Sequence, residues 1–390
     1  MTRLGVAIGE RVLDLSILAR SGLLDEALPD AALVLSAPTL NAFLGRGRPA
    51  WRDLRRRISA LLAAGNLELR DAGIAERALV PIGDVQLVLP LDVGDYVDFY
   101  SSREHASNLG KMLRPDGDPL LPNWRWLPVG YQSRSSSVVV SGTPIARPRG
   151  QTRDPGAQAP GFGPTRMLDF ELEIAFITGE GPALGTPIAL ERASEHIFGV
   201  TLLNDWSARD VQAWEYQPLG PFLSKSFATS LAPWIVTLEA LAPFRVAGPA
   251  QDQAPLPYLA CEEAGNYDIG LSVELQTALM RGAGIFPQTI SRTNFRGMYW
   301  SMAQQLAHLT SNGARIRPGD LCASGTISGS DPGSYGSLIE LTWRGTRPLV
   351  LADGSTRTFL EDGDAIALRG SCDRRGAVHI GLGEVSGTIR

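Results

Sequence analysis

Acidic and apolar residues alternate from Met167 to Phe176. An alternation with a period of two residues predicts a half-buried strand, with Asp169, Glu171 and Glu173 on one face. Neighbouring carboxylates on one face repel each other unless a positive charge lies between them. The segment is therefore either a solvated edge strand or one half of a metal site, and its own pattern leaves both open.

Other patterns predict the elements around this strand. Residues 4–15 predict a hairpin that turns at Gly9 and Glu10, and residues 51–62 have the spacing of a helix. Residues 337–343 alternate like a strand, which would place Glu340 opposite its apolar neighbours. Residues 148–164 are rich in Gly, Pro and Gln, which is typical of a mobile loop.

A helix is predicted to follow the polar segment that ends at Ser102. Ser102 is a suitable N-cap, so His105 would lie in the first turn of this helix. The amino terminus of a helix disfavours the imidazolium form, so we expect a neutral His105 that can act as a base. Taken alone, the residue fits a structural role equally well.

A polar stripe is predicted just after the buried strand of residues 199–205. Asp205, Arg209, Gln212 and Tyr216 are spaced to share one face of a helix. An acid, a guanidinium, an amide and a phenol suit the wall of a binding site better than a packing face. Asp205 is alternatively the N-cap of that helix.

Composition narrows the class of protein. The chain has 390 residues, 44% of them hydrophobic, and a net charge of −5, which gives no reason to expect nucleic acid binding. We find no signal peptide and no apolar run long enough for a membrane span. The three cysteines are far apart, as in a cytoplasmic protein with reduced thiols. Frequent Gly and Pro favour β structure, and the character of the chain changes near Pro90.

Several uncommon motifs occur in a fixed order, namely Asp98–Ser102 with His105, Leu168–Glu173, Asn204–Asp210, Gly220–Phe227 and Ala323–Gly329. Together they resemble the fumarylacetoacetate hydrolase family, almost from end to end. The resemblance implies a mainly β fold with α-helices. It would comprise a small SH3-like β-barrel domain over residues 1–90 and a larger mixed β-roll domain over residues 91–390. It also implies a homodimer.

The resemblance implies a metal site with the ligands Asp98, Glu171, Glu173 and Asp205. Independently, hard carboxylate oxygens suit Ca²⁺, Mg²⁺ or Mn²⁺ and argue against zinc. Four anions exceed the charge of one dication, so we expect Lys225 or Arg209 nearby. The family's second, magnesium-associated position would add Thr229 and Lys225. Lys225 would bind there through its backbone carbonyl, because an ammonium group cannot ligate a metal. Asp169 receives no role and is expected to be solvated or hydrogen-bonded.

The resemblance also implies the catalytic groups. His105 would be the base, oriented by Glu340, and Arg209, Gln212 and Lys225 could form an oxyanion hole. The substrate would contact Tyr100, Arg114, Tyr131, Gln212, Tyr216 and Thr326.

The implied activity is hydrolysis of a carbon–carbon bond in 4-fumarylacetoacetate, a β-diketo diacid, to fumarate and acetoacetate in tyrosine degradation. Such a diketone chelates Ca²⁺ or Mg²⁺ through two oxygens. One alternative is a related activity, namely hydrolysis of an acylpyruvate or another β-diketone, or isomerisation or decarboxylation of a 2-keto diacid. Another is a non-catalytic metal-binding protein. A water-activating pair of His105 and Glu340 favours hydrolysis over the related activities. A purely metal-binding protein would leave the polar face of Arg209, Gln212 and Tyr216 unexplained.

Overall fold

The amino-terminal region packs a small antiparallel sheet against short helices, and the computed structural model describes residues 2–261 and 265–390. Its elements are β1 Gly5–Ile8, β2 Arg11–Asp14, α1 Leu15–Arg20, α2 Ala31–Val34, α3 Asn41–Leu44, α4 Gly47–Leu61, α5 Glu68–Asp71, α6 Ala75–Ala78 and β3 Leu79–Pro81. The predicted hairpin is confirmed, and the helix predicted over residues 51–62 begins earlier, at Gly47. The SH3-like barrel is not confirmed, since this region shows a sheet of order β1-β2-β3 and helices.

The remaining residues are richer in strands. The strands are β4 Tyr96–Phe99, β5 Gly130–Gln132, β6 Val138–Val140, β7 Arg149–Thr152, β8 Gly161–Pro164, β9 Leu168–Asp169, β10 Leu172–Thr178, β11 Ile197–Asp205, β12 Ser207–Ala208, β13 Thr229–Leu231, β14 Val236–Thr237, β15 Arg245–Ala247, β16 Gly265–Tyr267, β17 Gly270–Gln276, β18 Gln288–Asn294, β19 Leu321–Ala323, β20 Leu349–Val350, β21 Thr356–Arg357, β22 Ala365–Cys372 and β23 Ile380–Thr388. The helices are α7 Arg103–Leu113, α8 Arg209–Glu215, α9 Leu238–Leu241, α10 Ala278–Gly282, α11 Met302–Thr310 and α12 Leu338–Leu341.

A central sheet of order β5-β4-β19-β10-β11-β13-β6 packs against a second sheet of order β18-β17-β22-β23. Leu202 of β11 shares one hydrophobic core with Leu271 of β17 and Leu368 of β22. Each such side chain contributes about 2 kcal/mol when it is fully buried. The mixed fold, with its large β part, agrees with the expected class.

The acidic segment is buried, so the edge-strand interpretation is wrong. Strand β10 lies between β19 and β11, and each of its residues is buried. A strand inside a sheet with both faces covered has no solvated side on which to place Glu173. The carboxylates of this segment therefore need partners within the protein.

Neighbouring strands bring the acidic side chains to one end of the central sheet. Asp98 of β4 pairs with Ala323 of β19, and Ala323 pairs with Ala175 of β10. Asp205 is the last residue of β11 and pairs with Thr229 of β13. These registers bring Asp98, Glu173 and Asp205 to the same end of the central sheet, and Glu171 lies in the short link between β9 and β10.

Three local predictions are wrong. Glu340 lies in the short helix α12 and not in a strand. Asp205 ends β11 and is not an N-cap, because α8 begins at Arg209 after Ala208. Residues 148–164 contain the antiparallel hairpin of β7 and β8. Helix α12 and the end of β11 depend on tertiary contacts, which a local alternation of residue types does not reveal.

Candidate active site

Four carboxylates form a compact buried cluster at the end of the central sheet. One oxygen from each side chain lies within 4.8 Å of the others in the group Asp98, Glu171, Glu173 and Asp205. All four side chains are nearly inaccessible to solvent. Oxygen donors at this density are the ligands that hard divalent cations prefer. The structure thus brings together the predicted carboxylate ligands.

The electrostatics of the cluster are those of a cation-binding site. Oδ1 of Asp98 and Oε1 of Glu173 are buried without a hydrogen-bond partner among the residues that the structure describes. Burial, followed by the neighbouring carboxylates, raises the pKa of both side chains well above its ordinary value. Unpartnered anionic oxygens inside a protein are costly. A divalent ion among them would remove that cost, so the donor set and its unpartnered oxygens fit a metal.

Two cations balance part of the charge. Lys225 Nζ donates to Asp205 Oδ2 at 2.8 Å and also to Glu171. Arg209 Nη2 lies 2.7 Å from Glu171 Oε1. Burial alone would raise the pKa of Glu171, but Lys225 and Arg209 lower it below its ordinary value. Glu171 therefore stays anionic and ion-paired.

Further donors hold the other ligands in place. Tyr131 Oη lies 2.7 Å from Asp98 Oδ2 and 3.1 Å from Asp205 Oδ2. Thr229 Oγ1 donates to Asp205 Oδ1 at 3.2 Å. The backbone amide of Gly325 donates to Glu173 Oε2 at 3.1 Å. Tyr131 thus lies beside the carboxylates as well as along the cleft, and Thr229 contacts the cluster through Asp205.

Position 325 requires glycine. Its φ is +79°, and a Cβ there would lie 2.3 Å from the carbonyl oxygen of Phe99. The left-handed backbone is open to glycine at little steric cost. This close approach places the Gly325 amide against Glu173.

His105 and Glu340 form a buried pair. Ser102 Oγ caps α7 by accepting from the His105 amide at 3.2 Å, which confirms the predicted N-cap. His105 Nδ1 lies 2.6 Å from Glu340 Oε2. Burial would raise the pKa of Glu340, but His105 and hydrogen bonds from neighbouring side chains lower it. A carboxylate on Nδ1 fixes the ring and leaves Nε2 for chemistry in the cleft.

One cleft of about 740 Å³ joins the carboxylates to the His105 side chain. Its walls include every predicted substrate-contacting residue, namely Tyr100, Arg114, Tyr131, Gln212, Tyr216 and Thr326. The Tyr100 ring lies edge-on to the imidazole of His105, with the ring centroids 5.3 Å apart. Thr326 Oγ1 is buried without a hydrogen-bond partner within the described part of the chain. The cleft thus offers polar groups and one unused hydroxyl to a bound molecule.

Arg209 and Gln212 lie together on the cleft wall, as predicted from their spacing. Arg209 Nη1 donates to Gln212 Oε1 at 3.0 Å. Because the amide oxygen of Gln212 accepts from Arg209, its NH₂ group is left to donate elsewhere. Arg209 itself already contacts Asp169, Glu171 and Gln212. Of these two residues, Gln212 is the freer hydrogen-bond donor.

Three side chains that hold Glu340 were not predicted from the sequence. Asn108 Nδ2 donates to Oε1 at 3.0 Å, while Ser328 Oγ and Ser337 Oγ donate to Oε2 at 2.9 and 2.6 Å. Asn108 lies three residues after His105 on α7, a spacing that places both on one helical face. That spacing was an available signal, whereas the two serines depend on the fold.

Comparison with known families agrees with this site. The family profile described as "Fumarylacetoacetate (FAA) hydrolase C-terminal" matches residues 96–390, and the profile "Fumarylacetoacetase N-terminal" matches residues 1–90. The chain belongs to the fumarylacetoacetate hydrolase family.

Curated relatives make the likeness more specific. The chain is 50% identical over 388 residues to the fumarylacetoacetase of Mus musculus, covering 99% of this chain and 91% of the relative. The fumarylacetoacetases of Homo sapiens and Arabidopsis thaliana are 49% and 48% identical, with the same coverage. The match thus includes both the amino-terminal region and the site.

Solved structures share the fold at low sequence identity. A putative HpcE protein from Mycobacterium smegmatis aligns with a TM-score of 0.57 and 19% identity, over 99% of this chain and 96% of the other. A fumarylacetoacetate hydrolase from psychrophilic Exiguobacterium antarcticum aligns with a TM-score of 0.53 and 18% identity, over 100% and 95% of the two chains. Separately, no helix in the described residues combines the length and apolarity needed to cross a bilayer.

Proposed function

We propose that this protein is a metal-dependent hydrolase that cleaves 4-fumarylacetoacetate to fumarate and acetoacetate. The observation that carries the proposal is the shared cleft, which is lined by His105, the partner of Glu340, and by three members of the carboxylate cluster, Asp98, Glu171 and Glu173. The identity of about half the sequence with curated fumarylacetoacetases, over nearly the whole chain, supports this choice of substrate.

The proposed metal site consists of Asp98, Glu171, Glu173 and Asp205, with Ca²⁺ or Mg²⁺ as the bound ion. Held by these residues, a divalent cation would act as a Lewis acid toward the β-diketone oxygens and would favour departure of the enolate. Lys225 and Thr229 belong to the surroundings of this site. Their side chains contact Asp205, which supports charge balance by Lys225 in addition to any role of its backbone carbonyl.

His105 is the general base in this proposal. Its Nε2 removes a proton from a water molecule, and the resulting hydroxide adds to the carbonyl carbon of the fumaryl group. Glu340 stabilises the imidazolium through Nδ1, at 2.6 Å. The carbon–carbon bond then breaks, fumarate leaves with the added oxygen, and acetoacetate takes up a proton.

Donors on the opposite wall stabilise the tetrahedral oxyanion. The NH₂ group of Gln212 is available because Arg209 occupies its carbonyl oxygen, and Lys225 has three N–H groups for two carboxylate partners. One donor of this kind contributes about 3–4 kcal/mol to transition-state stabilisation. Arg209 contributes mainly by orienting Gln212 and Glu171.

The remaining predicted contacts bind the ends of the substrate. Arg114 would bind a terminal carboxylate with its guanidinium fork, assisted by the hydroxyls of Tyr100 and Tyr216. Nε of Arg114 is buried without a hydrogen-bond partner within the described residues, which supports this role. Thr326 supplies its unused hydroxyl in the same cleft.

Oligomeric state and location form part of the same proposal. We expect a cytoplasmic homodimer that acts in tyrosine degradation, with residues 1–90 and 91–390 as its two domains. Cys322 and Cys372 are buried free thiols, which supports a reducing compartment.

A direct assay tests the proposed activity. Purified protein should consume fumarylacetoacetate, followed by its ultraviolet absorbance, and should lose turnover after treatment with EDTA, because the carboxylates then lack their ion. Ca²⁺ or Mg²⁺ should restore the rate. Absence of turnover with either ion would reject the substrate, and full activity in EDTA would reject the dependence on metal.

A further inference from the structure

Asp169 contacts both Arg209, beside the carboxylate cluster, and α12, which carries Glu340. It takes no part in the proposed reaction steps. Its side chain is fully buried and hydrogen-bonded, so of the two expected states, solvated or hydrogen-bonded, the structure shows the second. Oδ2 accepts from Arg209 Nε at 2.7 Å. Oδ1 accepts from the Leu338 amide at 2.7 Å, and Oδ2 from the Ile339 amide at 3.1 Å. One carboxylate therefore holds a side chain of α8 and the backbone of α12.

Each of these partners leads to a functional group. Arg209 is ion-paired with Glu171 of the carboxylate cluster. Leu338 and Ile339 begin α12, the short helix that also carries Glu340. The N-cap residue of this helix, Ser337, makes no side-chain capping bond, so Asp169 satisfies amides that a usual N-cap would satisfy.

We propose that Asp169 is a positioning residue that fixes the His105–Glu340 pair relative to the carboxylate cluster. The inference rests on the proposed function, because it concerns the geometry of that reaction. A four-residue helix whose first amides lose their anchor shifts as a unit, and Glu340 shifts with it. A displacement of about 1 Å in a catalytic group costs about 100-fold in rate.

Asp169→Asn tests this role with minimal change in volume. The asparagine keeps one oxygen acceptor but places an NH₂ group among the N–H donors of Arg209 and Ile339. Because the substrate-contacting side chains remain, we expect kcat to fall about 100-fold while KM stays within about threefold. The metal affinity, measured by calorimetry, should change far less than kcat.

A matched control separates positioning from general stability. Asp364 is also fully buried and accepts from Arg357 Nε at 2.8 Å, from Arg357 Nη2 at 3.0 Å and from the Glu361 amide at 2.9 Å. It is not among the residues that line the cleft. Asp364→Asn should therefore lower the melting temperature to a similar extent and leave kcat unchanged.

A double-mutant cycle identifies the route of the effect. If Asp169 acts through α12, Asp169→Asn should add less than about threefold to the loss already caused by Glu340→Gln, because the two substitutions disable one unit. A fully multiplicative loss in the double mutant would overturn the proposal. The proposal would also be overturned if Asp169→Asn and Asp364→Asn both lost kcat in proportion to the fall in their melting temperatures.

Asp169→Glu serves as a second variant in case the asparagine variant does not fold. It keeps the anion beside Arg209 but moves the oxygens by one methylene group, so kcat should again fall while KM is held. Wild-type kcat in the glutamate variant would overturn the proposal. The wild-type protein assayed in parallel separates the two hypotheses, since its failure to turn over substrate would reject the function and not the role of Asp169.

Discussion

Replacement of His105 by alanine should reduce kcat by about 10²–10⁴-fold, the range that a positioned general base contributes. His105 is the imidazole held by a buried carboxylate at 2.6 Å in the cleft, and no water-activating group of similar geometry replaces it in this account. Fold and metal affinity should be retained, because His105 is not part of the carboxylate cluster. Steady-state kinetics and calorimetry of the variant measure both quantities.

The chain offers a close control for this substitution. His379 Nδ1 also lies 2.6 Å from a carboxylate, that of Asp373, but both side chains are exposed, at 62% and 70%. This surface pair is not among the residues that line the cleft. His379→Ala should therefore leave kcat unchanged. Near-normal turnover of His105→Ala would show that another group activates the water.

Replacement of Glu173 by glutamine should greatly weaken metal binding. Glu173 contributes one of the unpartnered buried oxygens of the cluster. Loss of a residue that only supports a metal ligand costs about 10–100-fold in metal affinity, and loss of a ligand itself should cost at least as much. At a metal concentration 100 times the wild-type Kd, binding stabilises the native state by about 2.7 kcal/mol. A 100-fold weaker site gains only about 0.4 kcal/mol at that concentration. Melting curves with and without Ca²⁺ measure this difference.

Without metal, replacement of Glu173 by glutamine should stabilise the folded protein, whereas with metal it removes stabilisation. Burial and neighbouring carboxylates raise the pKa of Glu173 in the folded protein. A carboxyl group whose folded pKa lies above its unfolded value costs stability above the unfolded pKa, and the cost disappears as the pH falls below that value. The metal-free glutamine variant should therefore be more stable than wild type at neutral pH and similar to it near pH 4.

Asp320→Asn controls for the loss of a buried acid. Burial raises the pKa of Asp320 as well, but this residue lies outside the carboxylate cluster. Its variant should keep the full metal-induced stabilisation. An undiminished metal-induced shift in Glu173→Gln would contradict the assignment of Glu173 as a ligand.

The sequence predicted which side chains come together in the cleft better than it predicted the elements that carry them. The carboxylates and His105 belong to the recognised motifs, and Glu340 was added as the glutamate implied by the resemblance, so none of these predictions depended on a correct secondary structure. Glu340 was nevertheless assigned to a strand, because alternation over seven residues resembles a strand as closely as a four-residue helix. The helix is stabilised by Asp169, whose carboxylate accepts hydrogen bonds from the first amides of α12 although it lies 169 positions earlier in the sequence. A contact of that sequence separation leaves no local signal.

Asp169 shows why the rest of the site was not predictable. Its place in an alternating acidic segment suggested an exposed residue, since an isolated strand pattern does not reveal which strands will cover it. Asp169 ends the short strand β9, which pairs with β12, and its carboxylate is covered by Arg209 and by the first residues of α12. Ser328 and Ser337 around Glu340 were missed because serine is common on surfaces and in loops, so its presence alone does not indicate a buried contact.

Hydrolysis in ¹⁸O-labelled water shows which carbonyl carbon receives the water oxygen. If water activated by His105 adds to the carbonyl of the fumaryl group, the wild-type protein with Ca²⁺ or Mg²⁺ should place one ¹⁸O atom in a carboxylate of the fumarate product. Mass spectrometry of both products measures this. Unlabelled fumarate, or a label in the carboxylate of acetoacetate, would show that water does not add to the fumaryl carbonyl.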